Sequence, residues 1–331
     1  MTTKSIDVIA IGNAIVDIIG RCDDAFLARH GAAKGSMRLV DAATVAALYK
    51  DMGAGTEISG GSAANTMVGI ASLGGTSGFI GKIADDALGH VFARDIKAAG
   101  VTFATPPSKG GAPTACSLIL VTPDGERTMN TFLGVSPELA VSEVDSSLID
   151  KARIVYLEGY LFDRDEAKAA FRQAASHATK SGAKVALTLS DAFCVDRHRG
   201  EFLAFIREHV DILFANDSEV TSLYETKSFE EAAGQVAHDA QLAVLTRSAK
   251  GAVIVAAGTQ TAVPAAKDDK VIDTTGAGDL YAAGFLFGHA RGLDHETCGH
   301  LGALAAAEII SHVGARPQTS LAALAKARGL I

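Results

Sequence analysis

"VIDTTGAGDLYAAGFLFG", residues 271–288, sets three small residues and an aspartate between a β-branched run and a smooth apolar stretch. The pattern reads as a strand giving way to a helix, with Asp279 at the junction. Two physical readings are open there. In one, Gly276, Ala277 and Gly278 make a tight turn and Asp279 caps or begins the helix. In the other, the same small residues leave backbone N–H groups bare at a helix N-terminus, a ready anion site with the carboxylate beside the anion. Two other phosphate motifs fail. "GGTSGFIGKI", residues 74–83, has Thr76 and Ile83 where a P-loop needs Gly and Ser or Thr. A GxGxxG fingerprint begun at Gly276 would need glycine in place of Tyr281, which disfavours a Rossmann dehydrogenase.

Outward from this stretch, short β-branched runs alternate with helical patterns: "IVYLEG" (154–159), "KVALTLS" (184–190), "VDILFAND" (210–217) and "LAVLTRS" (242–248). "DDALGHVFARDIKAAG" (85–100) places Leu88, Val91, Phe92, Ile96 and Ala99 on one helical face and stops at Gly100. Repeated strand and helix imply right-handed crossovers and a mainly parallel sheet covered on both faces, an α/β fold. The apolar start "IDVIAIGNAIVDIIG" (6–20) reads as one buried strand. "TACSLILVTPDGERTMNTFLG" (114–134) breaks the rhythm and reads as a hairpin turning at Pro123, Asp124 and Gly125. Paired with "GSMRLVD" (35–41), it would project as a small β lid over the carboxyl ends of the main strands, where open α/β sheets bind ligands. With no linker or repeat, the expectation is one domain over 1–331, its lid built from segments near 13–50 and 110–135.

Composition narrows the classes of function. The 331 residues are 48% hydrophobic and 21% charged, ordinary for a soluble enzyme. Thirty basic against 38 acidic side chains give a net charge of −8, with no basic run for a nucleic-acid backbone. The first stretch carries Asp7 and Asp17, lacks a basic leader, and is too short to span a bilayer, so neither membrane nor nucleic acid is expected as a partner. Cys22, Cys116, Cys194 and Cys298 lie far apart, which argues for reduced thiols and a cytoplasmic protein. "HETCGH" clusters His295, Cys298 and His300, but it reads as a surface helix and no metal is assigned to it.

"DTTGAGDLYAAGF" resembles the carboxyl-terminal signature of the ribokinase-like (PfkB) carbohydrate and nucleoside kinases, and "GGSAANTMVGIASLGGTSGFIGKIADDALG" (60–89) resembles their amino-terminal signature. The likeness extends through "GNAIVDI" (12–18), "ERTMNTFLG" (126–134), "LEGYLF" (157–162), "NDSE" (216–219) and "TRSAKGA" (246–252). It covers nearly the whole chain and is most similar to the adenosine kinase branch. The resemblance implies a three-layer fold and makes Asp279 the catalytic aspartate that accepts the proton of the attacking hydroxyl. It makes the N–H groups of Gly276, Ala277 and Gly278 the anion hole around the transferring phosphoryl group. Beside a helix N-terminus, Asp279 should be a weak base, which a loose phosphoryl transition state tolerates.

For the nucleotide, Asn216 and Glu219 match the element that holds magnesium through its waters near the phosphates of ATP, with an N-cap pattern as the structural alternative. Thr246, Ser248 and Gly251 match the nucleotide-binding turn. Asp273 and Thr275 match positions that often coordinate potassium, with a later loop near "HVGARP" (312–317) completing that site. On the acceptor side, Asp17 stands where a carboxylate takes two hydrogen bonds from vicinal sugar hydroxyls. Asn13, Gly60, Gly61 and Asn65 match its neighbours, though for the two glycines taken alone a bulge or turn is the better explanation. Tyr160 and Phe193 match aromatics lining a nucleobase pocket, with core packing as the alternative. "DAFCVDRHR" (191–199) also resembles sugar kinases. The expectation is an ATP-dependent, magnesium-requiring kinase, stimulated by potassium, that acts on a small-molecule nucleoside or sugar as a monomer or homodimer. The first choice is adenosine to AMP; ribose, fructose or a sugar acid is the alternative, and a binding protein that kept the fold without turnover is the second.

Overall fold

The computed structural model describes residues 4–266 and 271–331. In chain order its strands are β1 (Ile6–Ile11), β2 (Ile15–Arg21), β3 (Met37–Leu39), β4 (Thr56–Gly60), β5 (Ser77–Ile80), β6 (Thr102–Phe103), β7 (Ala115–Val121), β8 (Arg127–Phe132), β9 (Ala152–Glu158), β10 (Lys184–Thr188), β11 (Ile212–Asn216), β12 (Leu242–Thr246), β13 (Ala252–Ala256) and β14 (Thr259–Val263). Nine of them form one sheet in the order β14-β13-β12-β11-β10-β9-β1-β5-β6. It is parallel from β12 through β6, and β13 and β14 extend it antiparallel at one edge.

The residues of β1 show why this sheet is covered on both faces. Val8 and Ala10 belong to one core cluster and Ile9 and Ile11 to the other. The first core holds the helices Ser62–Ser72, Ala277–Ala290 and His295–Ile310; the second holds Asp165–Ser181, Ala192–His209 and Phe229–Asp239. A continuous apolar strand is what a two-sided position requires. The parallel register then aligns strand ends: Glu158 lies opposite Thr188 and Asn216 opposite Thr246. The carboxyl edge of the sheet thus gathers residues far apart in sequence.

A second sheet runs β3-β8-β7-β2-β4. β7 and β8 are the antiparallel hairpin around residues 122–126, and Met37 of β3 lies opposite Met129 of β8. β4, from a segment outside the expected lid boundaries, adds an edge strand antiparallel to β2. In β2, Val16, Ile18 and Gly20 are buried while Ile15, Asp17 and Ile19 are partly open. Strict alternation of this kind puts Asp17 on the face opposite the core.

Three expectations need correction. The stretch 6–20 is two strands in two sheets, because the chain turns at Gly12–Ala14, where the Asn13 N–H bonds Glu158 Oε1 (3.1 Å) and the Ala14 N–H bonds Ser136 Oγ (2.9 Å). Residues 271–274 form no strand: the Ile272 N–H bonds the Ile310 carbonyl (2.8 Å), and Val271 and Ile272 are exposed. The helix starting at His295 is not a surface helix, since Cys298, Leu301 and Leu304 are buried in the first core with Ala277–Ala290. Small residues on both helices let them approach closely, an arrangement that hydropathy alone does not distinguish from a solvated face.

Candidate active site

Helix Ala277–Ala290 begins at Gly276, whose φ of 80° is left-handed. A Cβ there would lie 2.9 Å from Ala315 Cβ, so both conformation and space demand glycine. Gly278 has neither constraint: nothing lies within 4 Å of its Cβ position, and it is exposed. The turn does not leave all three expected donors free, because the Ala277 N–H donates to the Thr274 carbonyl (3.2 Å). No side chain caps this N-terminus. Asp279 does not cap its own helix either. Its Oδ1 accepts from Ser62 Oγ (2.6 Å) and its Oδ2 from Asn65 Nδ2 (3.0 Å), both in the first turn of Ser62–Ser72.

Burial pushes the Asp279 carboxyl above the usual range, while the Ser62 and Asn65 hydrogen bonds and the Arg316 charge favour the ionised form. Desolvation thus works against the preference for the charged form expected of a carboxylate beside a helix N-terminus.

Asp17 lines a cleft of about 190 Å³ whose walls also include Ile58, Asn65, Arg127, Thr275 and Arg316. Burial pushes Asp17 up to about 6, with Arg316 and Arg127 pulling it down and Asp279 adding to the rise. Its side chain makes no hydrogen bond among the described residues, which leaves the carboxylate oxygens for a ligand. Gly60 pairs with β2 so closely that a Cβ would lie 2.4 Å from Asp17 Oδ2. Gly61 has a φ of 94°, and its Cβ would lie 2.3 Å from the Asn13 carbonyl. Both glycines are thus accounted for by the turn into Ser62–Ser72 and by the seat of Asp17. Asn65 is buried, with its Oδ1 unpartnered among the described residues.

Asn13 does not offer its side chain to the cleft. Its Nδ2 donates to Glu158 Oε1 (2.8 Å) and its Oδ1 accepts from Ser136 Oγ (3.0 Å). Glu158, 1% exposed, also accepts the Ala63 N–H through Oε2 (2.8 Å), capping a helix whose N-cap residue, Gly61, has no side chain. Burial pushes Glu158 up to about 7 against these donors. Arg316 also escapes the sequence reading: its guanidinium donates to the Ser59 carbonyl (2.6 and 2.9 Å) and the Ala64 carbonyl (3.0 Å). Burial lowers it to about 10, against the pull of Asp17 and Asp279. It fixes the entry of the helix that carries Ser62 and Asn65.

At the far end of the strand edge, Asn216 and Glu219 form a capping box. Asn216 Oδ1 accepts the Glu219 N–H (2.9 Å), and Glu219 accepts the Asn216 N–H (2.9 Å) and Nδ2 (2.6 Å). Burial pushes Glu219 up to about 7, and the Asp191 and Asp279 charges raise it further. Each of its oxygens accepts one hydrogen bond and keeps a lone pair facing away from the cap, a donor set that fits magnesium with its shell of waters. Thr246 ends β12 beside Asn216; Ser248, at φ 49°, and Gly251, at φ 83°, shape the turn that follows.

Asp273 and Thr275 do not fit a potassium site. Asp273 Oδ2 is bonded to Nη1 of Arg127 and accepts the Gly314 N–H (2.9 Å), while Oδ1 accepts the Thr275 N–H (3.0 Å). The same Arg127 Nη1 donates to Thr275 Oγ1 (3.2 Å). A cation from the chain itself already stands there.

Tyr160 is half-buried, and its hydroxyl donates to the Ser190 carbonyl (3.3 Å). Phe193 is 76% exposed, which removes core packing as its explanation. Neither ring belongs to the lining of the Asp17 cleft.

With this geometry in hand, comparison with known proteins gives a consistent family. The pattern of the pfkB family carbohydrate kinases matches residues 40–321. A crystal structure of adenosine kinase from Sinorhizobium meliloti is 50% identical with a TM-score of 0.91, covering 98% of this chain and 99% of that one. A probable sugar kinase from Rhizobium etli CFN 42 is 48% identical with a TM-score of 0.93, covering 99% and 100%. Probable fructokinase-6, chloroplastic, of Arabidopsis thaliana is 32% identical over 236 residues, which are 69% of this chain and 61% of that protein's length. The chain belongs to the pfkB family of carbohydrate kinases, phosphotransferases that act on hydroxyl groups with ATP and a divalent metal. Its α/β architecture is that of the ribokinase-like adenosine kinase structures.

Proposed function

We propose that this protein transfers the γ-phosphoryl group of ATP to the primary 5′-hydroxyl of a nucleoside, with adenosine as acceptor and AMP and ADP as products. The observation that carries the transfer chemistry is Asp279, held by Ser62 and Asn65 at the start of a helix whose N-terminus no side chain caps. The acceptor hydroxyl gives its proton to the Asp279 carboxylate as its oxygen bonds to the γ-phosphorus and the bond from phosphorus to the β,γ-bridging oxygen breaks. Backbone N–H groups of Gly276 and Gly278 stabilise the charge on the transferring group, as preorganised donors do in a desolvated site. Asp17 holds the ribose diol from the small sheet, which acts as a lid. Asn216 and Glu219 would hold magnesium through its waters, and the bound ion neutralises phosphate charge.

The nucleoside preference is supported by the 50% identity to the Sinorhizobium meliloti adenosine kinase and by the exposed ring of Phe193, which a flat base would cover. A second reading, a sugar kinase, is favoured by the small Asp17 cleft, whose lining contains no aromatic ring. The deciding experiment measures ADP release with adenosine, inosine, guanosine, ribose and fructose. A kcat/KM for adenosine well above those of ribose and fructose is expected. A better rate with either sugar replaces the first reading by the second, and no release with any of the five removes the nucleoside reading and leaves a sugar-acid kinase or a ligand-binding protein.

A further inference from the structure

Arg127 opens β8 in the small sheet, yet its guanidinium leaves that sheet. Among the described residues its side-chain bonds go only to Asp273 Oδ2 and Thr275 Oγ1, and its Nε is buried without an acceptor. Asp273 is 7% exposed and sits three residues before Gly276, the cap of the anion-binding helix. A buried carboxylate is stable in the ionised form only with a compensating charge. The Thr275 and Gly314 N–H groups supply dipoles, and the guanidinium supplies the full charge.

We propose that Arg127 is the built-in cation of this site: the guanidinium takes the position a monovalent ion would occupy, frees the protein from a potassium requirement, and ties the small sheet to the start of the anion-binding helix. The consequence for turnover rests on the kinase reading above; the charge argument does not. An ion and the guanidinium cannot share Asp273 Oδ2 and Thr275 Oγ1, because both are positive and compete for the same acceptors. Movement of the small sheet therefore either carries Arg127 off Asp273 or is restrained by it, and removing the side chain leaves a vacancy that small cations can fill.

The test exchanges potassium, sodium and tetramethylammonium at constant ionic strength. It reads the thermal unfolding midpoint and ADP release of the wild type, Arg127→Lys and Arg127→Met. The wild type and Arg127→Lys are expected to keep one midpoint in all three salts, and wild-type turnover should not change. Arg127→Met should unfold several degrees lower in tetramethylammonium and recover in potassium or sodium. A wild-type midpoint or turnover that rises in potassium over tetramethylammonium overturns the proposal, as does an Arg127→Met protein as indifferent to the cation as the wild type. If Arg127→Met does not fold, potassium dependence of Arg127→Lys or of the wild type still overturns it, and indifference in both upholds it. Absence of ADP release with every acceptor would defeat the kinase reading while the midpoints still decide the role of Arg127.

Discussion

Asp279 keeps each carboxylate oxygen in a fixed bond, one from Ser62 and one from Asn65, and this determines what its replacement removes. In Asp279→Asn the amide oxygen can still accept from Asn65 and the amide nitrogen can donate to the Ser62 hydroxyl, so the shape survives and only the proton acceptor is lost. Turnover should fall at least about a hundredfold with ATP affinity retained, measured by ADP release and direct nucleotide binding. Asp17 gives a pH test. A carboxyl pushed up to about 6 loses its charge as pH falls through that value, and one of its two acceptor oxygens becomes a donor. The KM for the phosphoryl acceptor should therefore rise roughly fivefold between pH 6 and pH 5, while Asp17→Asn shows a high KM without that slope. Asp17 and Asp279 stand out in the sequence as candidates because each sits inside a local motif. Glu158, Arg316 and Ser62 do not, since their partners are supplied by folding: Ser62 and Asp279 are 217 positions apart, Asn13 and Glu158 145. The motif around Asn13 likewise identifies the turn but not the buried carboxylate that engages its side chain.

At the scale of the element, two glycines in the same turn separate a structural requirement from a functional one. Gly276→Ala must place a side chain at a left-handed φ, costing about 1–2 kcal/mol, and push against Ala315; stability and turnover should fall together. Gly278→Ala meets no atom and has an ordinary φ, so helix propensity should hold or raise the unfolding midpoint. If the phosphoryl group approaches this N–H, the added methyl stands in its path and turnover should fall at least tenfold in a protein that is no less stable. Equal turnover in Gly278→Ala and the wild type would take Gly278 out of the anion hole. Apolar runs made the elements of the main sheet readable where one run serves one strand of one sheet, as in β10 or β12. They failed between Ile6 and Arg21, where an unbroken apolar run serves two sheets, and at Val271 and Ile272, where β-branched residues face solvent with no strand beside them among the described residues.

The whole molecule decides the acceptor, because the groups that would grip a nucleoside come from both sheets: Asp17 from β2 of the small one, Tyr160 and Phe193 from the carboxyl edge of the large one. A sugar alone can engage Asp17 and leave Phe193 as it stands, 76% exposed. A nucleoside held across both sheets, as proposed above, would bring a flat base toward that ring, where covering an aromatic face is worth on the order of 1 kcal/mol beyond the area it buries. The chain contains no tryptophan, so Phe193→Trp creates a single fluorescent reporter at the deciding position. Saturating adenosine should shift its emission to shorter wavelength as water leaves the indole, whereas ribose and fructose at saturation should leave it unchanged. Phe193→Ala should raise the KM for adenosine several-fold and leave that for ribose alone. An emission spectrum indifferent to adenosine under conditions where adenosine is turned over would mean that the base lies elsewhere, and that Phe193 takes no part in choosing the acceptor.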